Sequence, residues 1–169
     1  MRKSFLYLIL FFAFYACAPK DNYFNIPEEH LPVYAKGDLL VYKSGNNYDT
    51  FTYLQKHMFY SDIGKLDHDQ YITFAVRNKK DTALSGFVDI QLFATMINWM
   101  NFFALITQNV KTDSSLVMVN GHAFKDVYIF NCGQPDTNRL YATKIYFTYK
   151  NWVIRYVRSD STTWDLISH

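Results

Sequence analysis

The chain is poor in covalent and metal-based means of stabilisation. Its 169 residues include two cysteines, Cys17 and Cys132. No disulfide framework can be drawn from them, so hydrophobic packing must hold the fold. Six glycines and four prolines are too few for a fibrous or low-complexity chain. An excess of one charge is also missing, with 17 Lys and Arg against 15 Asp and Glu. That excludes the basic footprint on which nucleic-acid binding rests. No apolar run reaches the roughly 20 residues of a spanning helix. The five histidines, His30, His57, His68, His122 and His169, form no pair at zinc-ligand spacing. There is no phosphate-cradling Gly-rich loop and no GxSxG elbow, so no cofactor or catalytic motif is readable. The expectation is a non-enzymatic protein without a cofactor.

What is present begins at the N-terminus. Arg2 and Lys3 are followed by twelve unbroken apolar residues, 5–16, and then by Cys17-Ala18-Pro19-Lys20-Asp21. A positive start, a short apolar stretch and a small residue before the cut are the parts of a secretory signal. A cysteine directly after Ala16 resembles a bacterial lipoprotein signal, in which that cysteine is lipidated and becomes the new N-terminus. Phe14 and Tyr15 stand where that signal usually carries Leu and a small residue. The resemblance implies a signal peptide over 1–16 and acyl chains on Cys17. One chain anchors marginally and two or more anchor firmly. Arg2 and Lys3 would leave with the signal, so 15 basic and 15 acidic side chains remain and lipid, not charge, would hold the membrane.

Residues 17–36 read as a lipidated tether, polar at first and broken by Pro27 and Pro32. Residues 37–169 suit one domain. There, strand-like runs alternate with turns. Residues 38–43 (DLLVYK) lead through Ser44-Gly45-Asn46-Asn47 into 49–59. Residues 70–77 follow a turn over 64–69, with Asp67-His68-Asp69 in it. Residues 85–93 alternate, with Val88, Ile90 and Leu92 on one face. Residues 95–106 allow two readings. Met96, Ile97, Trp99, Met100 and Phe103 fit a helical stripe. Alternatively 98–101 is a turn between strands, which the neighbouring strands favour. Asn120-Gly121 is the preferred type I′ hairpin pair, and Lys125-Asp126 suggests a bulge. Residues 142–149, 152–158 and 163–167 finish the chain. The fold class that follows is all-β: an antiparallel curled sheet, a half-open barrel or a sandwich.

The segments GDLLVYKSGNNYDTF, VNGHAFKDVYIF and KIYFTYKNWVIRYVRSDSTTWDLI resemble a recurring type of small, uncharacterised envelope lipoprotein of Bacteroidota. The matching residues are Asp49, Thr50 and Phe51, the Asn120-Gly121 turn, and Trp164 with Leu166. They are turn and packing residues, so the resemblance implies an outer-membrane or envelope location, and, as the type has no established activity, it carries over no functional residues.

Aromatics supply the remaining candidates: 14 Tyr, 15 Phe and 3 Trp. Phe74, Phe93, Phe130, Phe147 and Trp152 are the candidate ligand or interface rings. They could line a concave sheet that carries a lipid or another apolar molecule. They could instead form an exposed patch that docks an envelope protein or a glycan, or simply fill a core. Asp67-His68-Asp69 is the densest polar cluster. It reads as a solvated turn, with a divalent cation as the sharper alternative. Cys132 reads as a buried thiol.

Overall fold

A computed structural model describes residues 20–80, 85–91, 94–100, 102–107, 116–131 and 141–168. Cys17, Phe93 and Cys132 lie outside them. The strands are β1 (Asn22–Phe24), β2 (Leu39–Ser44), β3 (Asn47–Asp62), β4 (Asp67–Asn78), β5 (Ser85–Ile90), β6 (Ala94–Trp99), β7 (Phe102–Thr107), β8 (Val117–Val119), β9 (His122–Phe124), β10 (Tyr128–Asn131), β11 (Ala142–Thr148), β12 (Trp152–Arg158) and β13 (Thr163–Ser168). A single 3-10 turn, Glu28–His30, lies between β1 and β2.

Eleven strands form one sheet in the order β10-β11-β12-β13-β2-β3-β4-β5-β6-β7, with β1 paired to β4 off that path. Every neighbour along the path is antiparallel. Two meanders, β2 to β7 and β10 to β13, are joined where the last strand pairs with β2 through Leu166 and Tyr42. β8 and β9 make a separate hairpin, closed by Asn120 and Gly121, both at positive φ (47° and 80°) as a type I′ turn needs.

The sheet curls into a half-barrel. Register shifts after Tyr53, Ala142, Tyr146 and Leu166 bend the strands that carry them. Curling brings the end of β6 across to the C-terminal meander. The Ala142 N–H donates to the Met100 carbonyl at 3.3 Å, and Thr95 Oγ1 lies 3.2 Å from the Tyr149 hydroxyl. Residues 94–99 and 102–107 are thus strands, not a helix. Ile97 and Trp99 point inward with period 2, and Met100 takes the left-handed conformation (φ 49°) that the turn requires.

The concave face is filled. Leu40 and Tyr42 of β2, Phe51 and Tyr53 of β3, Ile72, Phe74 and Val76 of β4, Trp99 of β6, Phe147 of β11, and Trp152, Ile154 and Tyr156 of β12 are buried together. Their rings meet mostly edge-on or tilted. Tyr42 is 5.6 Å from Trp99 and 5.0 Å from Tyr156, and Trp152 is 5.4 Å from Phe74. These offsets let negative ring faces meet positive edges. Aromatics suit this role because each removes a large apolar area from water, about 150–250 Å².

The described part of the expected tether is packed on the domain. β1 runs parallel to the start of β4, the Ile26 N–H donates to the Gln70 side chain at 2.8 Å, and Ile26 and Tyr34 are buried. The turn expected over 64–69 is shorter, because β4 begins at Asp67. Pairing with β1 and the Asn22 Nδ2 bond to Asp67 (2.8 Å) satisfy three further residues as strand.

Candidate binding cleft

An open cleft of about 690 Å³ lies where the 3-10 turn, the β8–β9 hairpin and the β11–β12 turn come together. Its floor is a run of rings. His30 stacks on Tyr149 at 4.2 Å and 16°. Tyr149 meets Tyr128 edge-on at 5.6 Å and Phe147 at 5.5 Å. Phe124 and Leu116 add apolar wall, while Glu29, Lys125, Asp126 and Lys150 place both signs of charge at the cleft. The walls are fastened by long-range bonds. The Val33 N–H donates to the Lys150 carbonyl at 3.3 Å, and the Tyr34 hydroxyl donates to the Asn151 carbonyl at 2.8 Å. Burial, followed by the neighbouring Tyr149, raises the Tyr128 phenol pKa. Asp126, at the expected bulge, adopts a left-handed φ of 53° and turns the chain from β9 toward β10. Flat rings with charged groups around them can hold a ligand that has apolar faces and hydrogen-bonding edges.

A second polar group lies inside the half-barrel. Asp49 accepts from Asn78 Nδ2 at 3.1 Å, from the Tyr156 hydroxyl at 2.7 Å and from Arg158 Nη2. The Asp49 and Arg158 side chains are each 10% exposed. The guanidinium lies over the Trp164 ring, 4.2 Å from its centroid. β3 and β12 are separated in the sheet by β13 and β2, so this ion pair bridges the curl from one wall to the other. Burial first, then the Asp49 carboxylate, raises the Tyr156 phenol pKa strongly. So enclosed an arrangement ties β3 to β12 across the two strands between them.

The sequence candidates are placed as follows. Phe74, Phe147 and Trp152 are buried in the core. Phe130 is half-buried on β10, stacked beside Tyr128 at 6.4 Å. Phe93 and Cys17 lie outside the described residues. Of the polar cluster, His68 has Nδ1 2.7 Å from Asp62 Oδ1, and its ring stacks on Tyr23 at 4.7 Å. Asp69 follows it on a strand, is buried and belongs to the opposite face. Among the described residues, no three or more His, Cys, Asp and Glu side chains are grouped to hold a metal ion.

Sequence reasoning did not single out His30, Tyr149 or the Asp49–Arg158 pair. A signal for the pair was available. Asp49 is in phase with Phe51 and Tyr53, and Arg158 with Ile154 and Tyr156, so alternation itself places both charges on the apolar face. Nothing comparable marks His30, which reaches the cleft through the path of a loop. No protein-family model, no curated protein and no solved structure matches the chain.

Proposed function

We propose that this is an envelope lipoprotein, anchored through acyl chains on Cys17, whose β domain is a non-enzymatic binding module. The observation that carries the binding assignment is the open ring-floored cleft beside a filled concave face. Because aromatic side chains occupy the inside of the half-barrel, a ligand is better accommodated at the cleft than within the sheet. Oligosaccharide is the ligand class that fits, since a sugar offers an apolar face to the rings of the floor and hydroxyls to Glu29, Asp126 and Lys150. The test is a glycan-array screen of the full-length protein followed by Tyr149→Ala on each hit. Binding that falls at least tenfold in the variant supports the cleft. Binding that is unchanged, or no glycan bound at all, sinks it.

The carrier of apolar molecules is the competing reading, and native intact mass separates the two. A bare mass fits the surface cleft. Extra mass that extracts as lipid would transfer the function to the interior. The anchor rests on Arg2, Lys3, the apolar run over 5–16 and Cys17. Cys17→Ser should release the protein from the membrane fraction, and full retention of that variant would refute anchoring.

A further inference from the structure

The β3–β4 hairpin reaches beyond the rest of the sheet. β2 accompanies β3 only as far as Thr52, yet β3 continues to Asp62 and stays paired with β4 throughout. Along this extension the apolar side chains are not covered. Tyr23 is 55% exposed, Met58 57%, Phe59 50% and Ile63 51%. Successive strand residues face opposite ways, so Met58 and Phe59 make both faces of the ribbon apolar. Tyr23 packs edge-on against Tyr60 at 5.1 Å, and Phe59 stacks on Tyr71 at 5.2 Å. The rings are therefore held in place and exposed at once.

The same tip is where the chain enters the domain. The Asn22 N–H donates to the Leu66 carbonyl at 2.7 Å, within the hairpin turn. Asn22 is five residues after Cys17, and five extended residues span at most about 17 Å. A lipid on Cys17 would tether this apolar ribbon within that distance of the bilayer, close enough for its tip to reach a headgroup layer of roughly 5–8 Å.

We propose that the β3–β4 tip, through Tyr23, Met58, Phe59, Tyr60 and Ile63, is seated in the headgroup layer of the membrane that carries the lipid anchor. This rests on the Cys17 reading. The chemistry suits a lipid interface better than a protein partner. A partner's surface covers one face of a ribbon, whereas an interfacial layer surrounds both. Tyrosine is enriched at that depth because its ring is apolar and its hydroxyl polar. Asp62 and Lys65 at the turn would keep the tip at headgroup level rather than in the acyl core. The domain would then stand upright, with its orientation set by a second contact besides the anchor.

The experiment uses the full-length lipidated protein carrying Phe59→Trp, reconstituted in phosphatidylethanolamine–phosphatidylglycerol vesicles with brominated acyl chains. Trp99, Trp152 and Trp164 are buried, so the lipid quencher reports on the introduced indole. Met118→Trp, at an exposed site on β8, is the comparison. Intact mass and flotation are read on the same samples. The expected result is an acylated, floating protein in which the Phe59→Trp indole shifts to the blue and loses most of its emission, while Met118→Trp does neither. An acylated, floating protein whose Phe59→Trp emission is water-like and unquenched overturns the tip proposal and leaves the anchor standing. A blue shift without quenching shows the tip covered by protein and overturns it equally. Equal quenching at both positions removes the preferred orientation and the proposal with it. Absence of both acyl mass and flotation refutes the anchor reading, and the proposal falls with it.

Discussion

Replacing Asp49 by asparagine keeps the shape of the side chain and removes its charge. The carboxylate has three donors around it: Asn78, Tyr156 and Arg158. A carboxamide has one acceptor oxygen, so its NH2 must face a donor whichever way it turns. The Tyr156 hydroxyl can rotate, and Asn78 could turn its amide only by giving up the bond it accepts from the Lys80 N–H, but Arg158 has no adjustment because a guanidinium only donates. Its charge would remain at 10% exposure without the carboxylate that now neutralises it. Removing one member of a buried pair costs about 3–5 kcal/mol. For a domain of this size that is a fall in Tm of about 10 °C. Because the pair is buried, added salt should barely change the loss. The assay is urea unfolding of wild type, Asp49→Asn, Arg158→Met and the double variant. The double variant should recover much of the loss, since removing both charges leaves no buried charge without its counterpart. A loss below about 1 kcal/mol for Asp49→Asn, or a double variant no better than Asp49→Asn alone, would refute the bridging role of the pair.

Alkaline pH should unfold the protein steeply. Burial pushes the Tyr53 phenol up to about 12 and raises those of Tyr34, Tyr42 and Tyr156 strongly. Above about pH 10 the unfolded chain releases these protons and the folded chain keeps them, so stability is complete below that pH and falls as it rises. The last three phenols together give a slope of roughly 4 kcal/mol per pH unit, and urea midpoints that stay level between about pH 10 and 11 would contradict it. At Gly86 a Cβ would lie 2.6 Å from Trp99 Cε3 and 3.1 Å from the Asn98 carbonyl. Gly86→Ala should therefore cost about 1–3 kcal/mol through overpacking, and an unchanged unfolding midpoint would show that the Trp99 ring is not seated there.

The strands were legible because their signals are local. Residues 152–158 are a strand-like run that begins after a turn, and they form β12 over that span. Asn120-Gly121 requires positive φ and closes a hairpin. Between a helical stripe and a turn at 98–101, local pattern allowed both and the neighbouring strands favoured the turn. The choice was settled by pairing, since β6 finds β5 on one edge and β7 on the other. β1 was not legible. Three residues without alternation become a strand because β4 leaves an edge for them. The cleft depends on His30 meeting Tyr149 across the chain, and no local spacing encodes that meeting.

By itself, then, the sequence determined the kind of element, the turns, the all-β class and the placing of two charges in phase with apolar rows. Tertiary structure alone decided what covers each row. Joining β13 to β2 and bending the strands at their bulges turned one face inward. That filled it with Tyr42, Trp99 and Trp152, and brought Asp49 to Arg158 across 109 residues of chain. The physical reason is that alternation fixes which side chains share a face. Whether that face meets water, a ring or an opposite charge depends on the closure of the whole sheet.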